Sequence, residues 1–341
     1  MHVLRIQRRQ NLTTVSSLYS ELEKCAPRCA VQVPSDLDEY RLCGKGDFLQ
    51  FLLTWAEWCP DAPIITHIAA HAPNSSIVAQ LKKLFGEEHG FLLGLITRRF
   101  GLVAQRRFLN AKQEELPASL VEEAFATCEL LRSGVPLLKR TRGFLALDDQ
   151  INDDDRILNA YTNVYRRRNP DYCPMKEGFS ELLFELFKRA PSKALHRDVR
   201  NWNSLQRFIE QVVLFTYEVF ENADRWGPRP YEKSIRGILV HLHFRESRGE
   251  RPFRTQVGDD NGPLGKYLNR FSGPDGFERT SFLELTVFDN GPTLATHFLG
   301  REPKSLLGNN IFRTTYERRH KSFASKIQPS FFAFRFFRFA A

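Results

Sequence analysis

Two side chains near position 220 have types and spacing suited to phosphate chemistry. Glu218 and Asn222 are four residues apart, so on a helix they lie one above the other, with Cβ atoms about 5–6 Å apart. An asparagine oxygen can bind an octahedral Mg²⁺ that keeps waters and phosphate oxygens as its other ligands. A carboxylate one turn away can orient or deprotonate a water near a γ-phosphate. The same pair is also common on solvated helices, so taken alone it leaves both interpretations open.

A lone acid follows a predicted strand further along the chain. Residues 281–288 alternate apolar and polar side chains and are followed by Asp289-Asn-Gly291-Pro-Thr293. One interpretation is a hairpin turn, because Asp-Asn-Gly favours turns. The other is a carboxylate at the end of a strand that accepts a hydrogen bond from an adenine amino group. In that case the glycine lets the backbone approach the base.

The order of these elements resembles the GHKL nucleotide-binding family, which includes gyrase B, the heat-shock-ninety chaperones, histidine kinases and MutL. Residues 218–226 (E-x-x-x-N-A-x-R-W) are similar to the N box of that family in its histidine-kinase form. Residues 236–244 are a predicted strand, and residues 287–293 (V-F-D-N-G-P-T) are similar to the first glycine box. The resemblance covers residues 200–326, just over a third of the chain.

The resemblance implies a role for each matching position, with ATP and Mg²⁺ as the ligands. Asn222 would hold Mg²⁺, and Glu218 would act as general base or orient the attacking water. Arg225 would reach the phosphates or the ribose. Asp289 would read adenine, with Gly291 beside it.

The sequence departs from the family pattern in three places. Thr293 stands where the family has a second glycine. Residues 245–279 lengthen the distance between the two motifs and predict an inserted loop. Residues 320–326 resemble the approach to the glycine box that wraps the phosphates, but no glycine follows them. Backbone amides of such a turn normally cradle phosphates, so the resemblance implies nucleotide binding more directly than hydrolysis.

The expected fold class is α/β. The family fold is an α/β sandwich, a mixed and largely antiparallel sheet covered on one face by helices, with ATP between helices and sheet. A smaller mixed α/β domain of unknown role is predicted before it. The predicted organisation is an N-terminal domain at 1–147, a helical connector at 148–200, the GHKL-like ATP-binding domain at 201–326 and a Phe/Arg-rich tail at 327–341.

Hydrophobic periodicity predicts the elements that position these residues. Helices are predicted at 47–58, 119–133, 180–189 and 204–226, and strands at 3–6, 63–69, 236–244 and 281–288. The tail contains six phenylalanines among its last eleven residues. Three interpretations of this tail stay open. It could form a final strand of the sheet, it could bind a partner or a membrane, or it could be sequence that replaces a native C-terminus.

Composition narrows the class of protein. The chain has 341 residues, 42% of them hydrophobic, which excludes disorder as the dominant state. No apolar run reaches the roughly 18–20 residues that cross a bilayer, and the N-terminus carries no secretory apolar region. Six scattered cysteines favour packed, reduced thiols. Cys25 and Cys29 have no second Cys/His pair at zinc-finger spacing. The sequence therefore predicts a cytoplasmic protein without a membrane span.

Three functions remain open. The first is an ATP-driven switch or ATPase, which fits a bacterial signalling or defence protein; by analogy with the family, it would have a protein partner or form a homo-oligomer. The second is a histidine-type protein kinase, for which His196 is the nearest phosphoacceptor candidate, although it lies only 26 residues before Asn222. The third is a degenerate GHKL-fold protein that binds a partner or nucleic acid through its basic tail. The net charge is +9, and residues 311–341 carry most of it.

Overall fold

Four short parallel strands form the first sheet. The computed structural model describes residues 1–8, 10, 12–37, 44–98, 106–126, 137–139, 142–148, 207, 210–216, 219–220, 235–243 and 282–290. The strands of this sheet lie side by side in chain order. They are β1 (His2–Arg5), β2 (Cys29–Gln32), β3 (Ile64–Ile65) and β4 (Phe108–Leu109).

Helices connect the parallel strands, as parallel pairing requires. They are α1 (Leu12–Cys25), α2 (Gly44–Trp58), α3 (Asn74–Phe85) and α4 (Glu88–Arg98), with α5 (Ala118–Ala126) after the last strand. In α1, Val15, Leu18 and Leu22 recur at helical spacing and are buried. Helix α2 is buried along most of its length, which places it between two layers.

Four antiparallel strands form the second sheet. They are β5 (Leu137–Lys139), β6 (Arg142–Asp148), β7 (Ile235–His243) and β8 (Phe282–Asp289), again in chain order. The long β7–β8 register pairs Arg236 with Asp289 and His243 with Phe282. Because side chains alternate along a strand, this sheet has two distinct faces.

One face of the antiparallel sheet belongs to the main hydrophobic core. Phe144 of β6, Leu239 of β7 and Phe288 of β8 join a core that includes residues of α1, α2, α3 and α4. The Phe144 ring stacks on Phe288 at 5.9 Å and meets Phe91 of α4 edge-on at 6.2 Å. The two sheets are thus packed around helices that they share.

The opposite face of the antiparallel sheet is also apolar. Strand alternation assigns to it four buried side chains of β7 and β8: Ile238, Val240, Leu283 and Leu285. Arg236 and Asp289 lie on this face too, directly opposite each other in the register.

Several predicted elements are confirmed. The predicted helix at 47–58 is α2, which begins three residues earlier, and the strands at 236–244 and 281–288 are β7 and β8. The strand at 3–6 is β1, shifted by one residue. The predicted strand at 63–69 is only two residues long, although the Thr66 backbone N–H still donates to the Leu109 carbonyl at 2.8 Å.

Other predictions are described only in part. Helix α5 covers the first part of the helix predicted at 119–133, and residues 127–136 lie outside the described ranges. Of the helix predicted at 204–226, residues 207, 210–216 and 219–220 are described, and they are helical. The helix at 180–189, the loop at 245–279 and the tail at 327–341 lie outside the described residues, as does the connector apart from Asp148.

The structure is a mixed α/β arrangement with one parallel and one antiparallel sheet plus helices. The predicted boundary at residue 147 falls near the end of β6, and β6 pairs with β7 on the other side of it. The antiparallel sheet therefore takes strands from both sides of that boundary, and the division into domains stays a prediction. Among the described residues no helix is long and apolar enough to cross a membrane.

Candidate functional site

Asp289 is the one predicted site residue that the structure describes. It is the last residue of β8 and is half-buried. The other predicted site residues lie outside the described part of the chain: Glu218, Asn222, Arg225, Gly291 and Thr293. Their convergence with Asp289 therefore stays a prediction.

Reciprocal hydrogen bonds hold the end of β8. The Ile235 backbone N–H donates to Asn290 Oδ1 at 2.7 Å, and the Asn290 backbone N–H donates to the Ile235 carbonyl at 3.0 Å. Asn290 is buried, so water does not compete with these bonds. They continue the strand pairing one residue beyond Asp289 and fix the direction in which the chain leaves the sheet.

A second restraint on Asp289 comes from the N-terminal part of the chain. Gln50 of α2 donates from Nε2 to the backbone carbonyl of Asp289 at 3.0 Å. Helix α2 lies close against β8 at this point: a Cβ added to Gly46 would stand 2.2 Å from Thr286 Oγ1. Glycine at position 46 thus permits the approach that brings the Gln50 amide within reach of β8.

A buried cation lies on the same sheet face as the Asp289 carboxylate. Arg236 is 3% exposed and is the cross-strand partner of Asp289. Directly opposed residues of an antiparallel pair point to the same face. A carboxylate in this position is half-buried beside an apolar surface and can accept a hydrogen bond from an amino group such as that of adenine.

The helical residues between 207 and 220 have a buried side and an exposed side. Val212, Val213, Thr216 and Phe220 are buried, and their spacing is helical. Leu214 and Phe215 are on the exposed side, at 48% and 44% exposure. The described residues of this segment are thus helical and amphipathic.

A cluster of buried charges, which the sequence did not indicate, lies where α2 and α4 meet the antiparallel sheet. Lys45 Nζ of α2 contacts Glu88 Oε2 of α4 at 2.6 Å, and both side chains are 1% exposed. Arg142 Nε of β6 lies 3.6 Å from Glu88 Oε1. Glu88 therefore joins three elements, and its two cationic neighbours offset the cost of burying the carboxylate.

Two buried acids, Asp47 of α2 and Glu284 of β8, also interact with each other. Burial, with the nearby Glu284 carboxylate as a further cause, raises the pKa of Asp47 to about 7. Glu284 of β8 is itself buried, and His241 Nδ1 of β7 lies 4.0 Å from Glu284 Oε2. At neutral pH Asp47 is thus close to half-protonated, which lessens the repulsion between the two acids.

These buried charges position α2 and do not form a metal site. Within the described ranges, no group of three or more His, Cys, Asp or Glu side chains could hold a metal ion. Sequence patterns missed the cluster because Lys45, Asp47 and Glu88 lie near helix starts, where charged residues are ordinarily solvated. The one available signal was the glycine on each side of Lys45, which indicates close packing at the start of α2.

No family model, no curated protein and no solved structure matches the chain. The functional interpretation therefore depends on the motif residues and on the geometry around Asp289.

Proposed function

We propose that residues 201–326 bind ATP with Mg²⁺ and that the protein acts as a nucleotide-driven conformational switch of the GHKL type, with Glu218 as the general base for hydrolysis. The observation that carries the proposal is the placement of Asp289. It stands at the end of β8, on an apolar sheet face, with its backbone held from two sides. A carboxylate that reads a base must have a fixed position.

The arrangement of elements supports this proposal. The two predicted strands that follow the N box, the second of which runs into the glycine box, pair with each other along eight residues of β8. The sheet face that carries Asp289 is apolar and buried, so a layer must cover it. The helical residues 210–216 and 219–220 have a buried apolar side of the kind that such a layer needs.

In the proposed site each residue has a distinct task. Asp289 accepts a hydrogen bond from the adenine amino group, and Gly291 and Thr293 take the glycine-box positions that follow it in sequence. Asn222 ligates Mg²⁺, which neutralises phosphate charge when bound. Arg225 contacts the phosphates or the ribose. Glu218 takes the proton of the water that attacks the γ-phosphorus.

Calorimetric titration of the full chain with MgATP tests the assignment. Asp289→Asn replaces an acceptor by an amide and is expected to weaken ATP binding about 10–100-fold, the loss typical of a hydrogen bond to a charged group. Asp61→Asn is a matched control, since Asp61 is exposed. Equal dissociation constants for wild type and Asp289→Asn would show that the adenine assignment is wrong.

Variants of the N box separate binding from hydrolysis. Asn222→Ala is expected to remove the dependence of ATP binding on Mg²⁺. Glu218→Ala is expected to keep ATP binding and to abolish phosphate release. Turnover that persists in Glu218→Ala would exclude this residue as the base.

A further inference from the structure

Three cysteines of the parallel-sheet region converge in one place. Cys25 is the last residue of α1, Cys29 is the first of β2, and Cys59 directly follows α2. All three are free thiols, Cys29 and Cys59 are fully buried, and Cys25 is partly exposed. Cys29 and Cys59 are part of the main core, and Cys25 packs against it.

The turn between α1 and β2 brings two of these cysteines close together. The Arg28 backbone N–H donates to the Cys25 carbonyl at 3.2 Å, which folds the chain back after the helix. Burial raises the pKa of the Cys29 thiol, and the neighbouring Cys25 thiol is a further cause. A disulfide joins cysteines whose Cα atoms lie about 4.4–6.8 Å apart, a separation that a tight turn between them can provide.

We propose that Cys25 and Cys29 form a disulfide when the protein meets a peroxide, and that this bond ties the end of α1 to the start of β2. The three thiols differ in exposure, and this difference sets the order of events. Cys25 is the thiol that solvent reaches, so the oxidant reacts there first.

The chemistry balances with hydrogen peroxide as the oxidant. The Cys25 sulfur attacks one peroxide oxygen, the O–O bond breaks, and Cys25 sulfenic acid and one water are formed. The Cys29 sulfur then attacks the Cys25 sulfur, an S–S bond forms, and the hydroxyl leaves with the Cys29 proton as a second water. Two thiols lose two electrons in total, and the peroxide is reduced to two waters.

The surroundings predict that the second step is slow. The thiolate is the nucleophile in disulfide formation, and burial raises the pKa of Cys29, so little thiolate is present. Cys59 does not replace it, because burial raises the pKa of that thiol as well. A sulfenic acid on Cys25 should therefore persist long enough to be trapped by dimedone before the disulfide appears.

Tryptic peptide mapping of the full-length protein tests the proposal, because Arg28 lies between the two cysteines. After peroxide treatment and alkylation of remaining thiols, the expected product is peptide 25–28 joined to peptide 29–41, released by dithiothreitol. Dimedone added with the peroxide is expected to label Cys25 instead. Circular dichroism confirms that the oxidised protein is folded.

Two variants give the controls. Cys25→Ser is expected to leave Cys29 fully alkylated after peroxide, whereas Cys59→Ser is expected to form the same cross-linked peptide as wild type. Full alkylation of both peptides in oxidised wild type, a cross-link through Cys59, or a cross-link that forms only in urea would each overturn the proposal.

Discussion

At the scale of single residues, the buried charges around α2 are expected to be sensitive to the loss of one partner. A buried ion pair contributes little net stability compared with an apolar pair, but removal of one partner leaves an uncompensated charge. Lys45 and Glu88 are such a pair, with both side chains 1% exposed. Lys83 and Asp36 form the contrasting case. Their N–O distance is similar, 2.9 Å, but the side chains are 59% and 40% exposed.

Lys45→Met is therefore expected to destabilise the protein by about 3 kcal/mol, at the lower end of the range for broken buried pairs because Arg142 remains near Glu88. Lys83→Met should cost less than about 1 kcal/mol, as exposed pairs do. Urea unfolding of both variants measures the difference. Equal losses would contradict the interpretation, and a Lys45→Met/Glu88→Leu double variant should recover part of the stability.

The Asp47 carboxyl makes stability depend on pH. Its pKa is about 7 in the folded protein and about 4 in an unfolded chain, so the folded state binds the proton more tightly. The stability that this group contributes is fully present below pH 4 and is lost as the pH rises through 7.

Asp47→Asn should remove that loss. The variant is expected to gain stability relative to wild type as the pH rises from 5 to 8, by about 2–3 kcal/mol at most. Urea unfolding at the two pH values measures the gain, with Asp61→Asn as the exposed control. A stability difference between Asp47→Asn and wild type that does not change with pH would show that Asp47 is not the titrating group.

At the scale of elements, α2 is the link between the N-terminal part of the chain and β8. Gly46 allows the close approach and Gln50 uses it to hold the Asp289 carbonyl. If Asp289 reads adenine, the geometry of the base pocket depends on a helix more than two hundred residues away in sequence.

Gln50→Leu removes the donor while keeping a helix-forming side chain of similar length. We expect ATP binding to weaken about 3–10-fold, in proportion to one lost neutral hydrogen bond, with little change in the ATP-independent unfolding midpoint. Gln80→Leu is the matched control, because the Gln80 amide bonds within its own helix, to Ser76.

The outcomes of this titration separate two claims. If wild type binds no ATP, the proposed function is wrong, and with it the role of Gln50 in positioning an adenine site. If wild type binds ATP and Gln50→Leu binds equally well, the positioning role of Gln50 is wrong while the proposed function stands.

At the scale of the whole molecule, one hydrophobic core spans both sheets. Phe144 of β6 contacts Phe91 of α4 and stacks on Phe288 of β8. The parallel and antiparallel sheets therefore share the free energy of burying these rings, and we expect them to unfold together.

Phe144→Ala tests this shared core. It should destabilise the protein by about 3–5 kcal/mol, as large-to-small core changes do, and should shift tryptophan fluorescence and far-UV circular dichroism transitions together. Phe215→Ala removes an exposed ring and should change stability little. Two separable transitions in either variant would mean that the sheets unfold independently.

Sequence patterns predicted the strands and helices whose periodicity is strong, such as β7, β8 and α2. They did not predict β5 and β6, nor the pairing of β6 with β7, because strand pairing across a long sequence separation leaves no local signal. The position of Asp289 at the end of a strand could be predicted, because the alternating residues 281–288 are followed by the turn-forming sequence Asp-Asn-Gly. The Gln50 contact and the Lys45–Glu88 pair could not be predicted, because each depends on how α2 packs against elements remote in sequence.

The pairing of β6 with β7 also bears on how the chain folds. During synthesis β6 emerges while residues 149–234 still separate it from its partner strand, and closing such a long loop slows assembly. Until then one edge of β6 exposes unpaired backbone groups, a risk for association between nascent chains. Helix α4, which precedes β6 and packs against it, is already available to shield its apolar face during that interval.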